Sequence, residues 1–310
     1  MTSRDFWLYG GNIVGNGQDN ASNGHGGGVY SQGRANLLGG TIVGNTHAHG
    51  GGVYCRVISM SNCLVANNRA EGLGGGIAIG SVAEEKDRSE ISGGVITENY
   101  AGVSGGGVHL APLRGCGLTI SGGTISRNSG KLMGGAICAY YETELMICGG
   151  SIRENNIVDD SYPKQRNGQV YIDSLSQLRL SGAPQIDDCI YLCRDALAGR
   201  DNRIIIEGML SNAVPYRITT ERDPVGGVGV PFTELCSTNW SEKFVSADPN
   251  YLVRNVGSGD SQYLELAFAT PAEPVVLSVS GDECIYGAKA SVSVSATAET
   301  GNTLSYQWYE

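Results

Sequence analysis

Short apolar runs alternate with glycine-rich bends along most of this chain. A phrase of two glycines, one residue, an aliphatic residue, two further residues and asparagine occurs at residues 10–16, 39–45, 93–99, 122–128 and 149–155, with a degenerate copy at 61–67. Repeats with a period of roughly 20 to 50 residues are typical of stacked arrays, in which each unit buries its apolar face only against its neighbours. The pattern therefore predicts a solenoid.

Two further phrases interleave with the first. One places apolar residues directly after a run of glycines, as at 26–30, 50–54 and 105–110, and the other alternates apolar residues before a Ser or Cys, as at 118–121 and 145–148. Alternation with a period of two is the pattern of a β-strand. The three phrases predict three short strands and three bends per coil, and hence an all-β, right-handed parallel β-helix.

The spacing of the aliphatic anchors favours this fold over other repeat architectures. The anchors lie 22 to 34 residues apart and are Ile13, Ile42, Leu64, Ile96, Ile125, Ile152 and Ile186. Variable spacing with preserved strands indicates that insertions lie in the bends, whereas a leucine-rich repeat or a propeller keeps its own fixed frame. Equivalent residues of successive coils should then stack about 4.8 Å apart, with the anchors facing inward.

Two other rows follow from the same alignment. The first is an asparagine row, in which each amide is expected to bond the next coil, at Asn16, Asn45, Asn67, Asn99, Asn128 and Asn155. The second precedes it by one position and runs through Gly15, Gly44, Ala66, Glu98, Arg127, Glu154 and Asp188. Its alternating charges predict an ion-pair row.

The glycine phrase ends near residue 200, but strand-like runs continue at 203–207, 216–220, 251–256 and 263–267. We expect them to close the stack, which gives a β-helix over 1–270, a linker over 271–274 and an incomplete immunoglobulin-like module over 275–310. Trp308 lies in a strand pattern typical of such sandwiches. Because the first coil starts at Gly10 and the last module is too short to close, we expect both termini to be truncated.

The composition of the chain limits the classes of partner that it is expected to bind. The chain has 47 glycines and a net charge of −10, without a basic cluster of the kind that follows a phosphate backbone. No nucleic-acid partner is expected. No segment is long and apolar enough for membrane insertion, and the fragment begins without a signal peptide. The nine cysteines match no zinc pattern, although Cys189 and Cys193 are spaced for a disulfide or a metal.

At this point the Gly-Gly-x-Ile phrase and the asparagine row resemble the pectin-lyase-like β-helix superfamily, and in particular bacterial surface adhesins. The resemblance covers roughly residues 8–270. A β-helix followed by immunoglobulin-like modules resembles large secreted bacterial proteins. This resemblance implies an extracellular or cell-surface location. It does not imply one activity, because the superfold carries lyases, hydrolases and adhesins.

Acidic and basic residues of the loop 156–167 and the following coil form a candidate catalytic group. Its members are Asp159, Asp160, Lys164, Arg166, Asp187 and Asp188. The four carboxylates are hard ligands suited to Ca²⁺, and the lysine or arginine would be the base of a polysaccharide lyase. Two of the aspartates would alternatively be the acid and base of a glycosidase. A loop of solvated charges explains the same residues.

A candidate ligand-binding group lies near the first coils. Tyr30 is expected to stack over Tyr54, beside His25 and His49, which would give an exposed aromatic face for sugars. Tyrosine ladders also form simply because like side chains stack well. A transition-metal site at the same histidines and His47 is a third interpretation, although no carboxylate is placed to orient them.

The sequence therefore predicts a non-catalytic, adhesin-like β-helix that binds a polysaccharide or a glycan of a host or neighbouring surface. The alternative is a polysaccharide lyase or glycoside hydrolase, and a second alternative is a structural spacer. No cofactor is expected for the binding protein, and Ca²⁺ belongs to the enzyme alternative.

Overall fold

The computed structural model describes residues 5–17, 24–80, 88–110, 116–159, 168–195, 199–225 and 228–269, and the backbone of the strands Val275–Gly281 and Val292–Thr297. The repeats form a parallel β-solenoid of the right-handed type with about 7 turns. The all-β class and the repeat architecture predicted from the sequence are confirmed. Equivalent strands of successive coils pair in parallel and form vertical columns.

The first column is a 7-stranded sheet built from the Gly-Gly-x-Ile phrases. Its strands are Asn12–Val14, Thr41–Val43, Leu64–Ala66, Val95–Thr97, Thr124–Ser126, Ser151–Arg153 and Gln185–Ile186. The second column follows the asparagine row and is a 5-stranded sheet of two-residue strands. These strands are Thr46–His47, Arg69–Ala70, Tyr100–Ala101, Ser129–Gly130 and Asn156–Ile157. The prediction of three strands per coil is therefore wrong, because one predicted bend contains this extra strand.

The third and fourth columns belong to one 15-stranded sheet. The long strands Val29–Leu37 and Val53–Met60 run through both columns and join them. The other third-column strands are Ile77–Ile79, Val108–Leu110, Ile137–Ala139, Val170–Ile172, Cys189–Leu192, Tyr216–Thr220 and Phe244–Ser246. The other fourth-column strands are Phe6–Leu8, Ser89–Ile91, Gly117–Ile120, Glu144–Ile147, Gln177–Gly182 and Ile204–Leu210.

The inward row of the first column forms one side of the core. Ile42, Val65 and Ile96 pair in register, and each is at most 1% exposed. The predicted row contained Leu64, but Leu64 pairs with Thr41 and Val95 and only its neighbour Val65 faces inward. The degenerate repeat lacks the double glycine that marks the register, which explains the error of one position.

The asparagine row shifts in the same repeat. Asn68, not Asn67, is buried, and its Oδ1 accepts hydrogen bonds from the backbone N–H and the Nδ2 of Asn45 at 2.9 and 3.0 Å. The same pair of bonds recurs between successive coils along the asparagine ladder, which we define as Asn16, Asn45, Asn68, Asn99, Asn128 and Asn155. The predicted amide ladder is confirmed with this correction.

The position before each ladder asparagine has left-handed backbone geometry. Asn67 occupies it where the alignment placed Ala66, with a φ of 53°. Glu98, Arg127 and Glu154 follow in later coils, and the Arg127 guanidinium lies 3.6 Å from the Glu98 carboxylate and 3.0 Å from that of Glu154. The predicted ion-pair row is confirmed over these coils.

The closing part of the stack adds a small sheet. Its three strands lie in the order Val230–Pro231, Tyr263–Phe268, Tyr251–Val256. Two short 3₁₀ helices, Ser241–Lys243 and Gly259–Ser261, and an antiparallel pair, Arg194–Asp195 with Arg200–Asp201, complete the described elements. The strand-like runs predicted beyond residue 200 are confirmed.

The chain divides into two compact units, Met1–Ala267 and Phe268–Glu310. In the second unit, Val275–Gly281 pairs with Val292–Thr297 in antiparallel orientation. Trp308, the segment 271–274 and the rest of the predicted immunoglobulin-like module lie outside the described residues.

Candidate functional site

Four aromatic rings of the first coils form one stacked group, which we call the ring cluster: His25, Tyr30, His49 and Tyr54. The His25 ring lies 4.1 Å from that of Tyr54 and 5.5 Å from that of His49, centroid to centroid. The Tyr30 and Tyr54 rings lie 5.8 Å apart, and Tyr30 is 51% exposed. The predicted stacking of Tyr30 over Tyr54 beside both histidines is present.

The backbone places the ring cluster by simple register. Tyr30 pairs with Tyr54 in the third column, and His25 pairs with His49 in an isolated parallel bridge just before it. Parallel pairing without an offset puts like residues above one another, about 4.8 Å apart. The aromatic stack therefore follows from equal loop lengths in two successive coils.

The surroundings of the ring-cluster histidines favour the neutral form of both rings. Burial, and then the neighbouring His47, lower the pKa of His25 below its ordinary value of 6.5. Burial, and then His25 and His47, lower the pKa of His49 in the same way. The backbone N–H of Leu73 donates to Nδ1 of His49 at 3.2 Å, which places the proton of the neutral ring on Nε2. A neutral imidazole offers one donor and one acceptor.

The outward-facing row that contains Tyr30 and Tyr54 becomes buried beyond Tyr54. It continues through Ala78, His109, Cys138 and Tyr171, each at most 5% exposed. His109 donates or accepts at Nδ1 with Ser104 Oγ at 3.2 Å, and burial lowers its pKa to about 3. The open aromatic face of this row is therefore limited to Tyr30 and Tyr54.

Cysteines contribute neither disulfides nor a metal centre to the described chain. No disulfide joins any two of the eight described cysteines, so the one considered for Cys189 and Cys193 is absent. Cys193 Sγ donates to Tyr171 Oη at 2.9 Å. Within the described ranges no group of three or more His, Cys, Asp or Glu side chains is arranged to hold a metal, which includes the three histidines near the ring cluster.

The structure places the described aspartates of the candidate catalytic group at separate positions. Asp188 is buried and its Oδ2 accepts from Asn155, at 3.2 Å from the backbone N–H and 2.6 Å from Nδ2. Asp188 thus ends the asparagine ladder, whereas the alignment had placed it one row earlier. The bend before it is one residue shorter than in the preceding coils, because Ile186 is followed by only one residue rather than two.

The remaining acidic candidates do not surround Asp188. Asp187 is exposed. The backbone N–H of Asp159 donates to the carbonyl oxygen of Lys131, and Asp159 lies four positions beyond the ladder residue Asn155. Asp160, Lys164 and Arg166 lie outside the described residues. The described part of the group contains one aspartate with a structural role and two that lie at different bends.

Replacing Asp188 with asparagine is expected to shift the free energy of unfolding in favour of the variant, compared with the unsubstituted protein, as the pH rises to neutral. Burial raises the pKa of the Asp188 carboxyl above its ordinary value of 3.8, and the hydrogen bonds from Asn155 only partly oppose this. A raised folded-state pKa of an acid contributes stability at low pH that is lost as the pH rises through it. Urea unfolding of the variant and of the unsubstituted protein, from acidic to neutral pH, should show that the difference between their free energies of unfolding grows as the pH rises. Equal pH slopes would contradict the structural role.

The chain matches no protein-family model, no curated protein and no solved structure. In the part of the chain that the structure describes, no helix has the length and apolarity needed to cross a membrane.

Proposed function

We propose that this chain is a non-catalytic, extracellular β-solenoid that binds glycans through the ring cluster, in the manner of a bacterial surface adhesin. The observation that carries the proposal is the half-exposed Tyr30 ring stacked on a group of three further rings. Sugar rings have flat C–H faces that pack against aromatic rings, and their hydroxyls need both donors and acceptors. The imidazole of His25 offers one donor and one acceptor, and Nε2 of His49 offers a further donor because its Nδ1 already accepts from Leu73.

The resemblance of the repeats to pectin-lyase-like surface proteins supports the extracellular location and the class of partner. The parallel β-solenoid and the internal repeats are consistent with it. A rigid solenoid also keeps a binding surface in a fixed place, since its coils are joined by continuous hydrogen-bonded columns.

Affinity electrophoresis of the full chain in gels that contain plant, mucin or microbial polysaccharides tests the proposal. Retarded migration in at least one gel is expected. Size-exclusion chromatography of the same polysaccharides after incubation with the chain and Ca²⁺ should show no shortening. Shortened chains would contradict the non-catalytic reading and favour the lyase or hydrolase alternative, and unaltered migration in every gel would favour the spacer.

Replacing Tyr30 with alanine is expected to weaken retention roughly tenfold, equivalent to about 1.4 kcal/mol for a tyrosine at the centre of a contact. Tyr30 is half exposed, so the substitution should leave the fold intact. Tyr9→Ala is the matched control, because Tyr9 is 72% exposed and lies outside the ring cluster. Equal loss in both variants, measured from migration against polysaccharide concentration, would contradict the assignment.

A further inference from the structure

A concave site lies at the closing end of the solenoid, away from the ring cluster. It has a volume of about 490 Å³ and is open to solvent. Its lining includes Gly229, Arg254, Asn255, Tyr263 and Glu265. The last four residues come from two strands of the small sheet, Tyr251–Val256 and Tyr263–Phe268. Small-molecule sites commonly measure 300 to about 1,000 Å³, so the volume fits a small ligand.

A buried carboxylate forms part of the lining. Glu265 is only 5% exposed, although glutamate is rarely buried without a reason. The Arg254 guanidinium donates to its Oε1 from both Nε and Nη2. No described residue donates to the second oxygen, Oε2. The pair therefore leaves one carboxylate oxygen, and the Nη1 of the half-exposed arginine, for a further partner.

The backbone is shaped around this carboxylate. A Cβ on Gly229 would lie 2.2 Å from the carboxyl carbon of Glu265, so a larger residue there would displace the carboxylate from its present position. Asn255 donates from Nδ2 to Oε1 of Gln262 at 3.0 Å, but its own Oδ1 is buried without a partner. Buried polar atoms without a partner are uncommon in native structures.

Tyr263 supplies an aromatic wall. It lies two positions from Glu265 on one strand, and residues two apart in a strand share a face of the sheet. The guanidinium of Arg203 lies 6.0 Å from the tyrosine ring centroid on the same part of the fold. An apolar ring beside a donor and an acceptor is an arrangement that fixes the orientation of a small polar ligand.

The charges of the site select the class of ligand. An anionic ligand would pair with Arg254 but approach the Glu265 carboxylate, and a cationic ligand would meet the opposite conflict. A hydroxyl group both donates and accepts, so two adjacent hydroxyls satisfy Oε2 of Glu265 and Nη1 of Arg254 together. We propose that this pocket binds a neutral, polyhydroxylated ligand of sugar size, with adjacent hydroxyls on the Arg254–Glu265 pair and its apolar face on Tyr263.

Saturation-transfer NMR of the full chain with single glycosides tests this proposal. The probes are the methyl glycosides of glucose, galactose and mannose, with methyl glucuronide and glucosamine as the charged comparisons. Signal transfer to at least one neutral glycoside is expected, with weaker transfer to the charged ones. Absence of transfer to every neutral glycoside, or stronger transfer to a charged one, would overturn the proposal.

Single substitutions test whether the glycoside binds in this pocket. Glu265→Gln should weaken the neutral glycoside about tenfold and improve methyl glucuronide, because Arg254 loses its counter-charge. Glu234→Gln, which alters an ion pair with Arg203 outside the pocket, should change neither. Retained neutral binding in Glu265→Gln would overturn the proposal. If Glu265→Gln fails to fold, as judged by thermal unfolding, Tyr263→Leu decides in its place, with loss of binding expected.

Tyr30→Ala separates this pocket from the ring cluster. The pocket proposal requires that Tyr30→Ala leaves glycoside binding unchanged, whether or not it reduces polysaccharide retention. Loss of glycoside binding in Tyr30→Ala would assign the signal to the ring cluster and overturn the pocket.

Discussion

Replacing Asn99 with alanine is expected to lower the free energy of unfolding by about 4 kcal/mol. Asn99 is fully buried, and its Oδ1 accepts from the backbone N–H and Nδ2 of Asn68, each at 2.9 Å. Its Nδ2 donates to Val65 O and Asn128 Oδ1, also at 2.9 Å. Each buried polar group that loses its partner costs roughly 1 to 3 kcal/mol. The loss should therefore exceed that of an ordinary substitution.

Asn156→Ala is the matched control for the ladder. Asn156 follows a ladder position directly but is exposed. Its replacement should change the free energy of unfolding by no more than about 0.5 kcal/mol. Urea unfolding followed by circular dichroism measures both variants, and coincident transitions would show that the asparagine ladder does not stabilise the stack.

Replacing Gly75 with alanine is expected to cost at least about 3 kcal/mol, since overpacking against backbone has no flexible side chain to relieve it. A Cβ at this position would lie 2.4 Å from the carbonyl carbon and oxygen of Tyr100 and 2.6 Å from Gly106 O, all in the next coil. The coils would have to separate locally. The same row of close approaches is found at Gly27, Gly51, Gly75, Gly106 and Gly135.

Gly10→Ala is the control for Gly75→Ala. A Cβ on Gly10 would meet no atom within 4 Å, and its φ lies outside the left-handed region. Its effect should stay within about 0.5 kcal/mol. Thermal unfolding of the two variants compares them directly, and similar midpoints would contradict the close packing of the coils.

The repeated glycines and asparagines made the solenoid predictable, because both residue types mark fixed positions of each coil. Alignment failed where those marks are weak. Residues 61–68 lack the double glycine and contain two adjacent asparagines, so Leu64 and Asn67 were each placed one position from the correct residues, Val65 and Asn68. At the last coil a bend one residue shorter moved Asp188 into the ladder. The two-residue strands of the second column are too short to show a period.

The candidate sites were predictable to different degrees. Tyr30, Tyr54, His25 and His49 could be placed together because equal register stacks like residues. The closure of the same row at His109 and Cys138 depends on what packs over it, which a repeat pattern does not show. The pair Arg254 and Glu265 belongs to no repeated phrase, and only the folding of two strands into one small sheet brings it together.

The most direct test of glycan binding by the ring cluster is NMR of the full chain with ¹³C-labelled tyrosine rings, titrated with oligosaccharides of a polysaccharide that retards it. We expect the ring signals of Tyr30 and Tyr54 to shift together while those of Tyr9 and Tyr141 stay in place, with the oligosaccharides intact at the end of the titration. Unshifted Tyr30 and Tyr54 signals under saturating oligosaccharide would contradict this expectation, as would cleavage of the ligand.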